Sequence, residues 1–498
     1  MAPVPPPDSP LSFEEPSDQD EWQLIEESSS EDESDEERLR RMSNHDLKTA
    51  PIFTREALAL LSSKSKISAQ YGVLGKTIGI YDTDKVYAPA DPRLYINTNA
   101  PFSAIICGVQ GSGKSHTLGA ILESMLIPRF SPIGQLNKPL CGLVLHYGEG
   151  GQGALPNEAA WLCYSQSSLV TGPPVKVYVS HSSLNTMRKV YAPLGDKVVV
   201  EPLYFKRKEL DAHAVLSMMA IGSSESAPLY MQIILSILRD LGENYDFKTF
   251  TKQLDKQKEK FNPAQVSGLE QRMSLLTSFL EPTSANGKTS SSQSSRFAAG
   301  QLTIVDLSDP FLDEGAACGL FDIIIRLFVR AEVNTGKVLV VDEAHKYLSP
   351  NRSASGLTKT LLRLIRQQRH LAMRVLISTQ EPTVVPKTVL DLCSVAILHR
   401  FTSPSWWAHL IQHVSADFSK SDAFDQVVKL QTGQALIMAP SGLGVFSDAR
   451  EVPSAGTSGA SKKVPSSKTV GHIGRRYVIM KTRRRVTADG GASILAVS

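Results

Sequence analysis

The sequence predicts an α/β fold built on a mostly parallel central sheet, and two observations support this prediction. Short apolar runs alternate along the chain with segments of helical periodicity, which is typical of strands joined by crossover helices. A glycine-rich loop at 108–115 follows one of these runs and precedes a helical segment. We therefore expect one large α/β body, with helices covering the faces of the sheet.

Several elements of this body are predicted individually. Five apolar runs are short and rich in Val, Ile and Leu, so we expect buried strands at 103–107, 142–145, 302–305, 338–341 and 375–378. Apolar residues recur at helical spacing over 230–241, where Pro228 precedes the helix and Gly242 follows it. The charged stretch 248–281 and the polar run 283–295 together predict a helical, low-complexity insert at about 248–296.

Composition divides the 498 residues into four regions. Residues 1–50 hold 15 acidic and 4 basic residues and few apolar ones, which predicts a disordered acidic tail that recruits protein partners. We expect a short strand-rich segment at 51–100 and the main α/β core at 101–452. A Ser/Gly linker and a basic C-terminal tail should then follow at 453–498. Outside the acidic tail the chain carries a net charge of +14, which indicates either a polyanion partner for the body or an acidic tail that shields it.

Other classes of protein are disfavoured. The five cysteines lie far apart without a C-x-x-C pair, so neither a disulfide framework nor a zinc module is expected. Neither an 18-residue apolar stretch nor a secretory signal is evident, which predicts an intracellular protein, nuclear or cytoplasmic, without a membrane partner. The basic stretch at 471–485 has three interpretations that remain open: a nuclear address, a phosphate contact or solubilising charge.

The loop at 108–115 has the pattern G-x-x-x-x-G-K-S of a phosphate-binding loop, or P-loop. Its glycines allow backbone N–H groups to surround the phosphates of a nucleotide, and the helix that follows adds positive potential. Lys114 would contact the β- and γ-phosphates, and Ser115 would bind Mg²⁺. The predicted cofactors are therefore ATP and Mg²⁺. The predicted nucleotide-binding residues are Gly108, Val109, Gln110, Gly111, Ser112, Gly113, Lys114, Ser115 and His116.

An acidic pair follows the apolar run at 338–341. Asp342 is predicted to hold the metal ion, and Glu343 to act as the general base that activates water. Asp306 competes for the metal role because it also ends an apolar run. We favour Asp342, since only this position adds a second carboxylate; Asp306 would then cap its strand or a turn.

Two further signals concern catalysis. Gln380 follows the apolar run at 375–378, and we expect that strand to lie between the strands carrying the P-loop and the acidic pair, so that Gln380 faces the γ-phosphate. Arg366 and Arg369 precede the same run within a basic amphipathic helix. Either arginine is a candidate finger that reaches the γ-phosphate of a neighbouring subunit, and a solvated helix face is the alternative.

These motifs together resemble the HerA–FtsK superfamily, and its HerA-like (DUF87-type) ATPases in particular. The resemblance rests on GVQGSGKSHT at 108–117, GQLTIVDLS at 300–308, VLVVDEAHKYL at 338–348, and the stretch 365–401 with its basic pair, STQ tip and proline. It implies a RecA-like P-loop domain that assembles into a hexameric ring. Such a ring would be an ATP-driven helicase or translocase on DNA. A nucleotide-gated scaffold that controls assembly without translocation is the alternative function.

Overall fold

The computed structural model describes residues 45–64, 70–82, 85–151, 153–165, 167–219, 229–282, 295–348, 356–413, 423–447 and 468–490. Within these ranges 17 strands form one sheet. The strands are β1 (Ile52–Thr54), β2 (Tyr71–Tyr81), β3 (Val86–Tyr87), β4 (Arg93–Asn97), β5 (Ser103–Cys107), β6 (Gly134–Gln135), β7 (Cys141–His146), β8 (Val175–Val179), β9 (Val198–Pro202), β10 (Leu302–Asp306), β11 (Lys337–Val341), β12 (Met373–Thr379), β13 (Val395–Leu398), β14 (Gln434–Met438), β15 (Leu443–Ser447), β16 (Lys468–His472) and β17 (Tyr477–Thr482).

The helices cover both faces of this sheet. They are α1 (Arg55–Lys64), α2 (Lys114–Leu126), α3 (Leu184–Tyr191), α4 (Ala212–Met219), α5 (Leu229–Leu241), α6 (Phe247–Gln257), α7 (Pro263–Ser278), α8 (Glu314–Arg330), α9 (Gly356–Gln367), α10 (Lys387–Leu392), α11 (Pro404–Ile411) and α12 (Ala423–Lys429). Within the described ranges no helix is both long enough and apolar enough to cross a membrane. Residues 1–44 of the predicted acidic tail, and 283–294 of the predicted insert, lie outside those ranges.

Eight neighbouring strands are parallel, in the order β9-β8-β10-β7-β11-β12-β5-β13. All five predicted strands belong to this block and are confirmed, with ends that differ by no more than two residues. β12 pairs with β11 on one side and with β5 on the other, as predicted for the strand that carries Gln380. The fold is therefore a mixed α/β P-loop fold of the RecA-like type, with a mostly parallel central block.

The buried strands of this block supply both hydrophobic cores. In β5, Ile105 and Cys107 face one core, whereas Ala104 and Ile106 face the other. Successive side chains of a strand point to opposite faces, so a strand that is buried on both sides has to be apolar throughout. This requirement explains why the strands of the block appear in the sequence as continuous runs of Val, Ile and Leu.

The prediction of a linker and basic tail at 453–498 is wrong in part, because residues 468–490 belong to the folded body. β17 pairs antiparallel with β14 and with β2, and β16 pairs with β15. The apolar residues 477–480 are buried in β17, although basic residues surround this short run in the sequence. The segment 51–100 contains strands, as predicted, but β2 joins the same sheet through β17 and the segment is not a separate unit.

The predicted insert is helical over its described part. Asp246 caps α6 by accepting from the backbone N–H of Thr249 at 3.0 Å. Asn262 and Gln265 form a capping box at the start of α7, where Pro263 is the first helical residue. The helix predicted over 230–241 is confirmed as α5.

Candidate nucleotide-binding site

The P-loop, the acidic pair and Gln380 meet at one edge of the parallel block. The P-loop follows the carboxyl end of β5, the acidic pair follows β11, and Gln380 follows β12. His146 ends β7, the other neighbour of β11. Ligands of parallel α/β sheets bind outside the carboxyl ends of the strands, so this edge is the expected place for a nucleotide.

The P-loop has a backbone that requires its glycines. Gly108, Gly111 and Gly113 have φ values of 151°, 71° and 109°, in the region that favours glycine. A Cβ atom on Gly113 would lie 2.8 Å from the backbone of Gly433, and one on Gly108 would lie 2.7 Å from Cβ of His399. The loop therefore packs tightly against the β13–β14 side of the sheet, and a side chain at either glycine would displace it.

Lys114 lies at the start of α2 and is only 6% exposed. Its Nζ donates to the carbonyl of Val109 at 3.0 Å, and Ser112 Oγ donates to the same carbonyl at 2.6 Å. Burial lowers the pKa of Lys114, and the charges of Glu343 and Asp342 partly oppose this effect. A phosphate group near Nζ would restore a counter-charge to this buried ammonium.

Asp342 is held by two neighbouring strands and a loop. Its Oδ2 accepts from Asn157 Nδ2 at 3.0 Å and lies 3.2 Å from His146 Nδ1. Burial works against the charge, but the bonds from His146 and Asn157 keep the pKa of Asp342 below its ordinary value. The same pairing raises the pKa of His146 against the effect of its burial. Asp342 is therefore an ionised carboxylate with a fixed orientation.

Glu343 has an unusual backbone and a defined partner. Its φ of 50° is rare for a residue with a side chain and costs roughly 1–3 kcal/mol. The carboxylate accepts from Nε2 of Gln380, at 3.0 Å to each oxygen. Nδ1 of His345 lies 3.4 Å from the Glu343 carboxylate and 3.4 Å from the backbone nitrogen of Gln380. The strained turn thus brings the candidate base against the tip of β12.

A loop segment that the sequence did not single out also reaches the site. Asn157 caps the 3-10 helix Glu158–Cys163 by accepting from the N–H of Ala159 at 3.0 Å, while its amide binds Asp342. Burial raises the pKa of the adjacent Glu158, and an interaction with the hydroxyl of Ser115 opposes this shift. Asn157 therefore orients Asp342, and Glu158 places a third carboxylate close to Ser115.

Some of the missed residues had a detectable signal and others had none. His146 ends an apolar run at the same sheet edge, so the rule that singled out Gln380 would also have found it. His399 follows β13 in the same way; it is fully buried, and its Nδ1 lies 2.9 Å from the carbonyl of Gln434. Burial lowers the pKa of His399 to about 3, so the imidazole is neutral near pH 7. Asn157 lies within a long loop, where no spacing marks it.

Three predicted residues have surroundings that the sequence did not reveal. Arg366 and Arg369 are exposed at the amino end of β12, whereas Gln380 follows its carboxyl end. A seven-residue strand spans about 20 Å, so neither arginine is near the P-loop of its own chain. Both ring nitrogens of His116 lie 2.8 Å from acceptors near the C-terminus, Asp489 Oδ2 and the carbonyl of Arg483. The bond to Asp489 raises the pKa of His116.

Asp306, the other candidate for the metal ligand, stabilises the loop that follows β10. Its Oδ1 accepts from the backbone N–H of Ser308 at 3.1 Å, and its Oδ2 accepts from the hydroxyl of Tyr191 at 2.7 Å. β10 is separated from β11 by β7. This position fits the turn-capping role that we predicted for Asp306.

The oxygen donors near the P-loop fit a magnesium ion. Mg²⁺ usually takes one or two protein oxygens and completes its shell with phosphates and water. Ser115 and Asp342 are donors of this kind, and the two bonds described for Asp342 both end on Oδ2. Across the described ranges, no group of three His, Cys, Asp or Glu side chains is close enough to hold a metal ion by itself.

Comparison with known proteins gives only distant likenesses. Neither a protein-family model nor a curated protein matches the chain. VirB4 of Thermoanaerobacter pseudethanolicus is 13% identical over 74% of this chain and 93% of its own, with a TM-score of 0.40. The bacterial conjugative coupling protein TrwB is 11% identical over 78% and 87%, with a TM-score of 0.38. The genome packaging NTPase B204 from Sulfolobus turreted icosahedral virus 2 is 10% identical over 68% and 91%, with a TM-score of 0.27.

These three proteins are P-loop ATPases of the HerA–FtsK superfamily, which is the superfamily that the motifs resemble. TM-scores below 0.5 carry no argument about activity or partners. The functional interpretation therefore depends on the geometry of this chain.

Proposed function

We propose that this protein binds ATP with Mg²⁺ and hydrolyses it. The observation that carries the proposal is the meeting of three sequence-distant elements at one sheet edge: the P-loop, the pair Asp342–Glu343, and Gln380. A structural role alone would not require a strained glutamate bound by an amide beside a buried lysine.

Each residue receives a role in this proposal. The backbone N–H groups of the P-loop and the ammonium of Lys114 bind the phosphates. Ser115 and Asp342 hold Mg²⁺, which supplies charge neutralisation of the phosphate oxygens when bound. Glu343 accepts a proton from the attacking water as general base. Gln380 orients Glu343 and offers its amide to the charge that develops on the γ-phosphate.

We further propose that the ATPase is a motor that translocates on DNA as a hexameric ring. The net charge of +14 outside the acidic segment suits contacts to phosphates, which are electrostatic and independent of sequence. Arg366 and Arg369 lie too far from their own P-loop, so any role at a triphosphate requires a neighbouring subunit. An arginine supplied in this way contributes a large part of the rate in other P-loop enzymes.

The alternative proposal is a nucleotide-gated scaffold. It is favoured by the acidic composition of residues 1–50, which suits the capture of protein partners. Deletion of residues 1–50 should abolish partner capture by such a scaffold and leave a motor active.

The test is the ATPase rate of the purified full chain, titrated with duplex DNA, single-stranded DNA and no DNA, with particle mass measured in parallel. The motor proposal predicts DNA-stimulated turnover by a hexamer and loss of turnover in Lys114→Ala. Turnover that is independent of DNA would refute the translocase and leave the ATPase proposal intact. Equal turnover of Lys114→Ala and the wild type would refute both the translocase proposal and the ATPase proposal.

A further inference from the structure

The chain near its C-terminus lies against the P-loop helix α2. β17 ends at Thr482, and residues 482–490, which we call the C-terminal segment, then pass along this helix. The hydroxyls of Thr482 and Thr117 lie 2.8 Å apart. Arg483 donates from Nη2 to the carbonyl of Ala120 at 2.9 Å. The segment therefore contacts α2 from its first turn onward.

Glu123 makes this contact specific. It is fully buried in α2, and its Oε2 accepts from Arg483 Nη1 at 2.6 Å. Its Oε1 accepts from the N–H groups of Val486 and Thr487, at 3.0 and 2.9 Å, and from the hydroxyl of Thr487 at 2.6 Å. A buried carboxylate is costly unless it is paired and hydrogen-bonded, and all these donors come from the C-terminal segment. The buried carboxylate of the P-loop helix therefore depends on this segment for its hydrogen bonds.

The opposite side of the segment contacts the loop that reaches Asp342. Thr487 forms an antiparallel bridge with Ser165, and the N–H of Ala488 donates to the carbonyl of Tyr164 at 2.7 Å.

Gly490 packs closely on the indole of Trp161, because a Cβ atom on this glycine would lie 2.0 Å from Nε1 of the indole. These partners follow Asn157 along the chain, so one segment links the P-loop helix to the part that orients Asp342.

The C-terminal segment also contacts His116, which immediately follows Ser115 in α2. Nδ1 of His116 lies 2.8 Å from Asp489 Oδ2, and Nε2 lies 2.8 Å from the carbonyl of Arg483. Both partners are acceptors, so the imidazole donates from both nitrogens. The ring is thereby fixed between two points of the C-terminal segment, and it cannot rotate without breaking one of these bonds.

We propose that His116 and Asp489 are positioning residues of the nucleotide site, which hold the first turn of α2 so that its backbone N–H groups face the phosphates. This inference rests on the proposed nucleotide binding. Asp489 reaches the site through His116, because its Oδ2 binds the imidazole of this residue, which is adjacent to Ser115, while its Oδ1 lies 3.7 Å from Arg485. The pair adjoins the buried anchor at Glu123, because Arg485 Nη1 lies 3.7 Å from Asp489 Oδ1 and Arg485 Nε lies 3.6 Å from Glu123 Oε1.

The test uses Asp489→Ala in the full chain and measures binding of Mg·ATPγS by calorimetry. We expect affinity to fall about five- to tenfold, the effect of losing one charge-assisted hydrogen bond. Asp489→Asn should recover most of it, because its amide oxygen still accepts from Nδ1–H. The matched control is Asp391→Ala, which removes a similar pair (His413 Nδ1 to Asp391 Oδ1, 2.6 Å) on α10 and should leave affinity unchanged.

Two further measurements make the inference falsifiable. His116→Ala and the double variant His116→Ala/Asp489→Ala should bind equally weakly, since Asp489 acts through His116. Amide hydrogen exchange at residues 115–117 should be faster in Asp489→Ala without any nucleotide, and the Asp391→Ala control should not change it. Unchanged exchange, or affinity within twofold of the wild type, would overturn the positioning role. A wild-type chain that binds no ATPγS would instead overturn the proposed function.

Discussion

Gln380 donates its side-chain Nε2 to both carboxylate oxygens of Glu343, at 3.0 Å each. The two residues lie 37 positions apart in the chain and follow neighbouring parallel strands, β12 and β11. In our account the amide holds the general base in place and also faces the γ-phosphate. Binding of a triphosphate and orientation of the base are therefore linked through one side chain.

Glu343→Gln should slow ATP hydrolysis and leave ATP binding intact. The amide cannot accept a proton from water, so we expect turnover to fall by about a hundredfold to ten-thousandfold. Steady-state hydrolysis and ATPγS binding, measured on the same preparation, check this prediction. Glu332→Gln is the matched control, because Glu332 is exposed before the opposite end of β11 and should not affect turnover. Loss of binding together with turnover would contradict the role of a general base.

Gln380→Ala should lower turnover by about a hundredfold, since it removes a donor to the developing charge and frees the Glu343 side chain. The Michaelis constant should change little, because the phosphates are held mainly by the P-loop. Gln412→Ala, on an exposed site after α11, is the control. The double variant Gln380→Ala/Glu343→Gln should be slower than Glu343→Gln alone by much less than a hundredfold, because the orienting role of Gln380 is already lost with the base. Additive losses would mean that the two residues act independently.

Much of the parallel block could be predicted from the sequence. β5, β7, β10, β11 and β12 are buried on both faces, and this burial leaves continuous apolar runs that are easy to recognise. β17 escaped prediction because its apolar run, residues 477–480, is short and lies between basic residues. Its basic neighbours dominated the local composition. The side chains of Arg483 and Arg485 are largely buried beside Glu123, a setting that no local pattern reveals.

The candidate site likewise has residues that could be predicted from the sequence and residues that could not. The P-loop, Asp342, Glu343 and Gln380 have local signals, because each directly follows an apolar strand. Their meeting at one sheet edge follows from the parallel topology. The partners of Asp342 and His116 come from distant segments, so Asn157 and Asp489 could be found only from coordinates. The roles of Arg366 and Arg369 stay a prediction, since they depend on a second subunit.

Glu123→Ala should destabilise the fold by about 3–5 kcal/mol, because it leaves buried donors of the C-terminal segment without their acceptor. Urea denaturation measures this loss. Asp255→Ala is the contrast, since its pair with Lys258 is exposed and its removal should cost about 1 kcal/mol or less. A loss at Glu123 no larger than at Asp255 would show that the segment is not anchored by this carboxylate.

The free energy of unfolding should depend on pH through His399. Burial lowers its pKa to about 3 in the folded protein, against about 6.5 in the unfolded chain. Between these values only the unfolded chain takes up the proton, so stability falls as pH falls from about 6 to 4. The loss should be about 1.4 kcal/mol per pH unit relative to His399→Gln. His472→Gln, at an exposed position, should keep the wild-type slope. Parallel curves for the wild type and His399→Gln would contradict a buried neutral imidazole.

Mixing experiments test the arginines. A chain with Arg366→Ala and Arg369→Ala should bind ATP normally but hydrolyse it at least a thousandfold more slowly, to order of magnitude. Mixed with Lys114→Ala chains, it should regain activity, because each variant supplies the group that the other lacks across a subunit interface. The control mixture is Lys114→Ala with Glu343→Gln, which should stay inactive because both changes lie in the same site. Full activity of the arginine variant alone would exclude a finger.

The P-loop, the acidic pair and Gln380 are proposed to surround one magnesium-bound triphosphate, and the decisive experiment is calorimetric titration of the full chain with Mg·ATPγS. We expect one bound nucleotide per chain in the wild type and in Glu343→Gln, and no binding in Lys114→Ala, whose folded state should be checked by its unfolding midpoint. Equal affinity of Lys114→Ala and the wild type, or no binding by either, would refute the proposed site.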